Sequence, residues 1–269
     1  MKALASEQSV HDRENSFCGK AVVVIPAFNE ADNIGRLIER LLNLPTPVDV
    51  LVVDDNSPDG TAAIVASHPF FNRRVFLLDR PSRLGFAMAC RDGFRWSTAH
   101  DYDVCIEMDA DFSHDPDDIP RLLAEIAAGA DIAVGSRYLN GVRVINWPAR
   151  RLLLSLFAGK YTRFCSGLHL SDPTSGFKAI RSRVVSAQDW SQFTADGYGF
   201  IIEFHFYSWR NGFDLREIPV VFTERRDGQS KMSFRIMRES AWRVARLGCS
   251  RLLNRRRQPA DPVRSLGYA

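Results

Sequence analysis

The stretch that decides the fold is residues 21–54, AVVVIPAFNEADNIGRLIERLLNLPTPVDVLVVD. It begins and ends with runs rich in valine, isoleucine and leucine, at 21–26 and 48–53, which are typical of strands buried on both faces. Between the runs, apolar side chains recur at helical spacing, at Ile34, Leu37, Ile38, Leu41 and Leu42. The stretch therefore predicts a strand, a helix and a second strand, the repeating unit of a parallel sheet.

The same alternation continues along the chain. Further strands are predicted at 73–79, 102–108 and 130–136, with helical segments between them. Asp115 followed by Pro116 marks the start of one helix, because proline is favoured at the first helical position. The sequence predicts an α/β fold, with a mostly parallel central sheet and helices on both faces.

The composition is that of a globular protein: 45% of the 269 residues are hydrophobic, enough for one large domain or two small ones. The five cysteines are scattered and include no CxxC pair, which disfavours a disulfide framework or a structural zinc site. Residues 1–20 contain no apolar core of a signal peptide, and the run 152–158 is shorter than the roughly 18 residues of a membrane span. A cytoplasmic location is expected.

The charge is uneven along the chain. The net charge is +3, from 35 basic and 32 acidic residues. Residues 225–257 contain eleven arginines and lysines but two acidic residues, Asp227 and Glu239. This asymmetry predicts an anionic partner for the C-terminal end of the chain.

Polar clusters follow the predicted strands. In open α/β sheets, ligands bind beyond the carboxyl ends of the strands. The clusters at those ends are 26–30, 54–57, 109–111 and 135–137. They are expected to converge on one edge of the sheet, which becomes the candidate site.

Asp109 and Asp111 are the most informative pair at this edge. Two carboxylates one residue apart can chelate a divalent cation, or one can hold the metal while the other binds sugar hydroxyls. An aspartate after a strand can also merely cap the following turn. Asp55 and Glu30 are predicted at neighbouring strand ends, where several carboxylates would repel one another unless a cation compensates them. The cluster therefore favours a cation site.

Several catalytic motifs are missing from the sequence. It contains no glycine fingerprint for dinucleotides, no P-loop, no GxSxG elbow and no HExxH spacing. Phosphates would have to be held by a metal and by arginine rather than by a glycine-rich cradle.

Eight segments carry a resemblance to a known family. In chain order they are VVIPAFNEADNI, VVDDNSPDGT, RLGFAMACRDGF, MDADFSHDP, VGSRY, DPTSGFKAI, DGYGFIIE and IPVVFTERRDGQSKMS. They resemble the motifs of family 2 glycosyltransferases of the GT-A fold, and most closely those of dolichyl or polyprenyl phosphate mannosyltransferases, also called polyprenol monophosphomannose synthases. The resemblance runs from about residue 20 to about residue 245.

The resemblance implies transfer of mannose from GDP-mannose to the phosphate of a polyprenyl lipid, with inversion at the sugar C1 and with Mg²⁺ or Mn²⁺ as cofactor. The implied nucleotide contacts are Pro26, Phe28, Glu30, Val53 and Asp55. Asp109, Ala110, Asp111 and Ser113 would lie around the metal and the diphosphate, with Asp109, Asp111 and Ser113 as metal ligands. Arg137, Arg225 and Lys231 would take the donor and acceptor phosphates, and together with Asp111 form the implied catalytic set.

Two positions depart from the family pattern. Phe28 stands where the family usually has tyrosine, which keeps a ring able to stack on the base. Ser113 stands where some members have a glutamine metal ligand, so a water would intervene between Ser113 and the metal.

The residue types also suggest how the transfer would proceed. A lipid monophosphate is already an anion at pH 7, so no dedicated catalytic base is expected. The divalent ion on Asp109 and Asp111 would act as the Lewis acid that stabilises the departing GDP. Arg225 and Lys231 are predicted on a mobile loop that closes over the donor, although a solvated basic loop is the alternative.

Two basic segments are predicted to contact a membrane surface on its cytoplasmic side. They are 147–164 and 233–257, each with apolar residues at helical spacing and flanking arginines. The alternative is that each packs its apolar face on the protein. A separate membrane subunit could also anchor the chain.

The predicted domain organisation has four parts: a flexible arm at 1–19, the GT-A domain at 20–231, a membrane-facing basic helix at 232–257 and a tail at 258–269. Three rival functions stay open at this point. They are the same acceptor with UDP-glucose or another donor, a catalytically silent nucleotide-binding adaptor at the membrane, and a nucleic-acid binder using the arginine-rich tail. The last is disfavoured because it leaves the acidic edge unexplained.

Overall fold

The computed structural model describes residues 17–223 and 242–249. Its strands are β1 (Ala21–Ala27), β2 (Asp49–Asp54), β3 (Val75–Asp79), β4 (Val104–Glu107), β5 (Ile132–Ser136), β6 (Val144–Ile145), β7 (Lys178–Arg181), β8 (Leu215–Pro219) and β9 (Phe222–Thr223). Its helices are α1 (Ala31–Leu42), α2 (Thr61–Ala66), α3 (Phe86–Ala99), α4 (Ile119–Ala127), α5 (Ala149–Ser166), α6 (Ser182–Ser186), α7 (Tyr198–Arg210) and α8 (242–249). Short 3₁₀ turns lie at Pro116–Asp118 and Trp190–Gln192.

The central sheet has seven strands in the order β3-β2-β1-β4-β7-β5-β8. All neighbouring pairs are parallel except those of β7, which runs antiparallel to both β4 and β5. This arrangement confirms the predicted α/β fold with a mostly parallel sheet. A separate two-stranded sheet pairs β6 with β9.

Both faces of the sheet are covered by helices. Alternate residues of β1 point to opposite sides, so that Val23 and Ile25 join one buried cluster while Val22 and Val24 join the other. The first cluster contains buried apolar residues of α1 and α4, and the second contains those of α3 and α6 together with Phe200 and Phe204 of α7. The continuous apolar runs of the sequence therefore reflect strands that are buried on both faces.

The antiparallel strand β7 was not predicted from the sequence. It carries a buried lysine, Lys178, whose Nζ lies 2.6 Å from Oε2 of Glu107 on β4. A charged residue at the start of the strand interrupts the apolar pattern that predicts a buried strand. Pairing across the ladder makes the charge tolerable, which the pattern alone does not reveal.

Asp115 caps its turn as predicted. Its side chain accepts a hydrogen bond from the Asp117 backbone N–H, with Pro116 in the first position. The element that follows begins as a 3₁₀ turn and continues into α4. No helix in the part of the chain that the structure describes is long and apolar enough to cross a membrane.

Candidate active site

Three predicted clusters meet at adjacent strand ends, because β2, β1 and β4 are neighbours in the sheet. Pro26 lies opposite Val53, and the N–H of Asp55 donates to the Ala27 carbonyl at 2.9 Å. On the other side of β1, the Met108 N–H donates to the Val24 carbonyl at 3.2 Å. The sequence therefore delivers its polar loops to one edge, as predicted from the strand pattern.

Each of these three loops turns through a left-handed residue. Asn29, Asn56 and Phe112 have φ values of 60°, 61° and 57°, and they directly follow Phe28, Asp55 and Asp111. Asparagine tolerates this conformation, whereas for a bulky residue such as Phe112 it is an outlier that costs energy. The strained residue separates Asp111 from Ser113, so strain is concentrated in the loop of the paired aspartates.

The paired aspartates have different surroundings. The Asp109 side chain is 39% exposed, and the Asp111 carboxylate accepts a hydrogen bond from the Ser113 N–H at 2.9 Å. Ser113 itself is buried, and its carbonyl accepts from the N–H of Thr223, the last residue of β9, at 3.1 Å. Carboxylate oxygens on a partly exposed loop are hard ligands of the kind that Mg²⁺ and Mn²⁺ prefer.

The donor chemistry fits a divalent cation, but the protein groups do not form a complete cage. Within 17–223 and 242–249, no cluster of three or more histidine, cysteine, aspartate or glutamate side chains is placed to hold a metal. Two carboxylates would bind the ion while the diphosphate of a nucleotide completes its shell, as is usual for Mg²⁺.

His114 lies behind the aspartates as a buried, neutral base. Its Nδ1 accepts from the Asp109 N–H at 3.5 Å and lies 3.8 Å from Asp109 Oδ2. Its ring stacks on Phe177 with centroids 4.9 Å apart and meets Phe222 edge-on. Burial lowers the pKa of His114, although the charges of Asp109 and Asp111 act in the opposite direction. The imidazole supports the loop without adding a charge.

Arg137 is held by a buried carboxylate at the end of β5. Its Nε and Nη2 donate to the two oxygens of Asp172 at 2.6 and 2.7 Å, and Nη2 also donates to Thr174. Burial tends to lower the pKa of Arg137, but the Asp172 charge outweighs it and raises that pKa. The same pairing outweighs burial and lowers the pKa of Asp172. Both groups are therefore charged at neutral pH.

Asp55 organises the loop that precedes α3. Its Oδ1 accepts from Arg80 Nη1 at 2.7 Å and from the Leu84 N–H at 2.9 Å, while Oδ2 accepts from the Gly85 N–H at 2.8 Å. A carboxylate that is buried needs such compensation. Asp55 thus fixes the backbone of residues 84–85 next to the predicted nucleotide site.

Glu30 occupies the start of α1. It is buried, its N–H donates to Thr61 Oγ1 at 3.0 Å, and its Oε2 accepts from Asn33. Asp59 accepts from the Ala31 N–H and from Thr61, so the two loops after β1 and β2 are joined. Burial acts to raise the pKa of Asp59, but these hydrogen bonds outweigh it and lower that pKa.

The comparison with known families decides the class of this protein. Residues 22–187 match the family described as Glycosyl transferase family 2. The chain belongs to this family. It is therefore a glycosyltransferase, and the matched residues span all three strand ends that form the edge.

Curated relatives of the enzyme include lipid-phosphate mannosyltransferases, which confirms the resemblance seen in the eight motifs. The polyprenol monophosphomannose synthase of Mycolicibacterium smegmatis is 41% identical over 239 residues, covering 88% of this chain and 90% of the relative. The undecaprenyl-phosphate mannosyltransferase of Micrococcus luteus is 38% identical over 229 residues, covering 85% and 94%.

Solved structures share the fold of the enzyme at lower identity. A glucosyl-3-phosphoglycerate synthase from Mycobacterium tuberculosis, in complex with Mn²⁺, UDP-glucose and phosphoglyceric acid, gives a TM-score of 0.60 at 17% identity, covering 87% of this chain and 80% of that one. A mannosyl-3-phosphoglycerate synthase from Rubrobacter xylanophilus gives 0.58 at 18% identity, covering 91% and 78%. These structures support the predicted GT-A architecture.

The structure brings most of the predicted site residues of the enzyme to one edge. Val53 and Ala110 are buried, and their contacts with a nucleotide stay predictions. Pro26 and Phe28 are partly exposed at the end of β1. Arg225 and Lys231 lie outside the described residues, and their roles stay predictions.

Several residues of the site were missed by the sequence reasoning. Asp172 was quoted in the DPTSGFKAI motif without a role, and its pairing with Arg137 spans 35 positions in the chain. Arg80 and its contact with Asp55 were not considered. For Asp172, the motif itself was the available signal.

Proposed function

We propose that the enzyme transfers mannose from GDP-mannose to the phosphate of a polyprenyl lipid, with inversion at the sugar C1. The observation that carries the proposal is the convergence of Phe28, Asp55 and the pair Asp109 and Asp111 at three adjacent strand ends. The names of the curated relatives support the acceptor, since they act on polyprenol, undecaprenyl and dolichol phosphates. GDP as the nucleotide comes from the motif resemblance.

The cofactor in this proposal is a divalent cation, Mg²⁺ or Mn²⁺, held by Asp109 and Asp111, with Ser113 acting through a water. When bound, the ion neutralises the charge that develops on the departing diphosphate. A solved structure of the same fold is in complex with Mn²⁺ and UDP-glucose, which supports a divalent cation as cofactor. The left-handed turn at Phe112 holds the two carboxylates on the same loop.

The acceptor phosphate needs charge compensation rather than deprotonation. It is an anion at neutral pH, and it must approach the donor diphosphate, which is also anionic. Asp172 fixes Arg137 at the edge by accepting from Nε and Nη2, so the plane of the guanidinium is set by the pair. With Arg225 and Lys231, it would position and neutralise the phosphates.

The acceptor lipid places the enzyme at a membrane surface. Helix α5 presents Leu153, Phe157 and Phe164 to solvent, with 67%, 68% and 87% of their surface exposed. These residues share one side of the helix, with the exposed basic residues Arg150 and Arg163 nearby in the sequence. An apolar face with flanking positive charge is suited to an anionic leaflet. The enzyme would act as a peripheral protein on the cytoplasmic face, alone or with a membrane subunit.

Helix α8 contributes less apolar surface to a membrane than the sequence pattern suggested. Val244 and Leu247 are buried against Leu168, Ile202 and Phe206 of the protein. Trp242 is 64% exposed, so this end of the segment keeps one large apolar side chain at the surface. In the proposal, α5 therefore supplies the main membrane contact among the described residues.

The donor and acceptor are tested by following radiolabel from GDP-mannose into a short polyprenyl phosphate in detergent. UDP-glucose in a parallel reaction tests the main rival donor. Label in the lipid from GDP-mannose alone supports the proposal. Label in the lipid from UDP-glucose alone would mean that glucose, not mannose, is the transferred sugar. If neither donor is consumed, the result favours a catalytically silent nucleotide-binding adaptor.

A further inference from the structure

Arg83 covers the ring that is predicted to stack on the nucleobase. Its guanidinium carbon lies 3.7 Å from the centroid of the Phe28 ring, the closest cation–π contact among the described residues. Arg83 is exposed and Phe28 is partly exposed, so both groups can be reached from solvent. A planar cation at this distance is in contact with the ring and covers it in this structure.

The backbone around Arg83 is fixed from two sides. The N–H groups of Leu84 and Gly85 donate to Asp55, and Arg80 joins the same carboxylate. Beyond the loop, the Ala87 N–H donates to Asp196 Oδ1 at 2.8 Å. The base of the Arg83 side chain is therefore anchored to the strand end of β2 and to the segment that leads into α7, while its long stem remains adjustable.

Gly85 lets the loop pass this close to Asp196. Its φ is +95°, in the region that favours glycine, and a Cβ added there would lie 2.8 Å from Asp196 Oδ2. A side chain at this position would be strained by the positive φ and would have to displace the Asp196 carboxylate, which also accepts from the Ala87 N–H. The path of the backbone next to Arg83 is therefore set by Gly85 and its contacts.

We propose that Arg83 and Phe28 form a nucleobase clamp. In this clamp the base stacks on the Phe28 ring, and the Arg83 guanidinium stacks on the opposite face of the base. The inference rests on the proposed function, because the base is that of the nucleotide-sugar donor. Admitting a base requires the guanidinium to move outward by about the thickness of one aromatic ring, which rotations along the arginine stem provide. Arginine stacks on bases of every type. A purine covers more of the guanidinium than a pyrimidine, so the clamp favours GDP over UDP.

The test is the dissociation constant of GDP in the presence of Mn²⁺, measured by titration calorimetry on the full chain. Arg83→Ala weakens GDP binding by about 5- to 30-fold, the range expected for a stacked cation at a partly exposed site. Arg83→Lys loses nearly as much, because an ammonium cannot stack as a plane. Both variants raise the KM for the donor more than they lower kcat.

A matched control comes from a second exposed arginine on a ring. Arg73 lies 5.4 Å from the Phe70 ring centroid, in the loop that precedes β3. Arg73→Ala leaves GDP binding within about twofold of the parent. Binding of inorganic pyrophosphate is the second control, and it stays unchanged in Arg83→Ala because the clamp holds the base.

Three results would overturn the clamp. Tighter GDP binding by Arg83→Ala would mean that the arginine only blocks Phe28. Unchanged GDP binding would mean that it is a surface residue, and an equal loss for pyrophosphate with full rescue by lysine would assign it to the phosphates.

The fate of the proposed function is read separately, on the parent protein. If the parent binds UDP rather than GDP, GDP-mannose is not the donor, and the dissociation constants of the same variants are measured with UDP. If the parent binds neither nucleotide, the proposed function and the clamp both fall.

Discussion

Arg137 and Asp172 form a bidentate ion pair that joins the end of β5 to the loop before β7. Nε and Nη2 of the arginine lie 2.6 and 2.7 Å from the two carboxylate oxygens, and both side chains are buried. The Arg137 N–H also donates to Asp172 at 3.1 Å, so backbone and side chain are bound by one carboxylate. The pair holds the Arg137 guanidinium in one orientation at the end of β5.

Replacing Asp172 should reveal how strongly the pair supports the fold. Asp172→Asn leaves Arg137 buried without its counter-charge, and the free energy of unfolding should fall by about 3–5 kcal/mol. Urea denaturation measures the loss. Asp214→Asn, which breaks the exposed pair with Arg216, is the control and should cost less than about 1 kcal/mol. Equal losses in the two variants would contradict a structural role for the buried pair.

The Lys178 and Glu107 pair should behave as a coupled unit. Both side chains are fully buried, with Nζ and Oε2 2.6 Å apart. Burial raises the pKa of Glu107, while Lys178 acts to lower it. Lys178→Met should destabilise the protein by about 3–5 kcal/mol, because it leaves an uncompensated carboxylate in the core.

A double-mutant cycle checks the coupling between these two residues. Adding Glu107→Leu to Lys178→Met removes the unpaired buried carboxylate, so the double variant should recover most of the lost stability. Denaturation midpoints of the parent, both single variants and the double variant provide the measurement. Strict additivity of the two single losses would refute the coupling.

His205 should make stability fall in mild acid. Burial, together with the nearby Lys178 charge, lowers the pKa of His205 to about 3, against an ordinary value of 6.5. Below pH 6.5 the unfolded chain takes up a proton at this residue while the native state does not, so stability is complete above that pH and is lost as the pH falls towards 3. The contribution approaches about 1.4 kcal/mol per pH unit.

The variant His205→Leu isolates this contribution. Its stability should change less steeply between pH 6.5 and pH 4.5 than that of the parent, whatever its absolute stability at pH 7. His114, whose pKa burial also lowers, remains in both proteins and cancels in the comparison. Parallel pH curves for parent and variant would show that His205 does not titrate as the structure implies.

The exposed face of α5 should decide membrane association. Leu153→Ser combined with Phe157→Ser removes two large exposed apolar side chains, and partitioning onto vesicles of phosphatidylcholine and phosphatidylglycerol should weaken by at least about 10-fold. Phe70→Ser, at an exposed phenylalanine in the loop before β3, is the matched control and should bind as the parent does. Sedimentation with vesicles measures both. Equal binding by all three proteins would remove α5 from the membrane contact.

The sequence was sufficient for the layered fold because strand and helix periods are local properties. The runs 21–26 and 48–53 correspond to β1 and β2 within one residue at all four ends, and Ile34, Leu37, Ile38 and Leu41 are all buried. Strand β7 escaped prediction because its burial depends on Lys178 pairing with a residue on another strand. Local patterns predict which apolar segments are buried. Whether a charged residue can also be buried depends on a partner that is far away in the chain.

The same distinction applies to the candidate site, where some features follow from local sequence and others depend on residues far apart in the chain. Aspartates and aromatic residues after strands were found because the carboxyl ends of parallel strands share an edge. The contacts of Asp55 with residues 84–85, and of Arg137 with Asp172, follow from three-dimensional placement and were not predicted. The contact of Arg83 with Phe28 was likewise not predicted, although both residues lie in motifs that the sequence analysis quoted.

The most direct test of the central claim is the rate of mannose transfer from GDP-mannose to a short polyprenyl phosphate as Mn²⁺ is titrated, for the parent and for Asp111→Asn. The substitution keeps the size of the side chain and removes its negative charge. We expect transfer by the parent that rises with Mn²⁺ and disappears with a chelator, and a loss of at least about 100-fold in the variant, comparable to the loss of a major electrostatic contact in catalysis. Transfer by Asp111→Asn at the parental rate and with the same Mn²⁺ dependence would contradict a cation site at the end of β4.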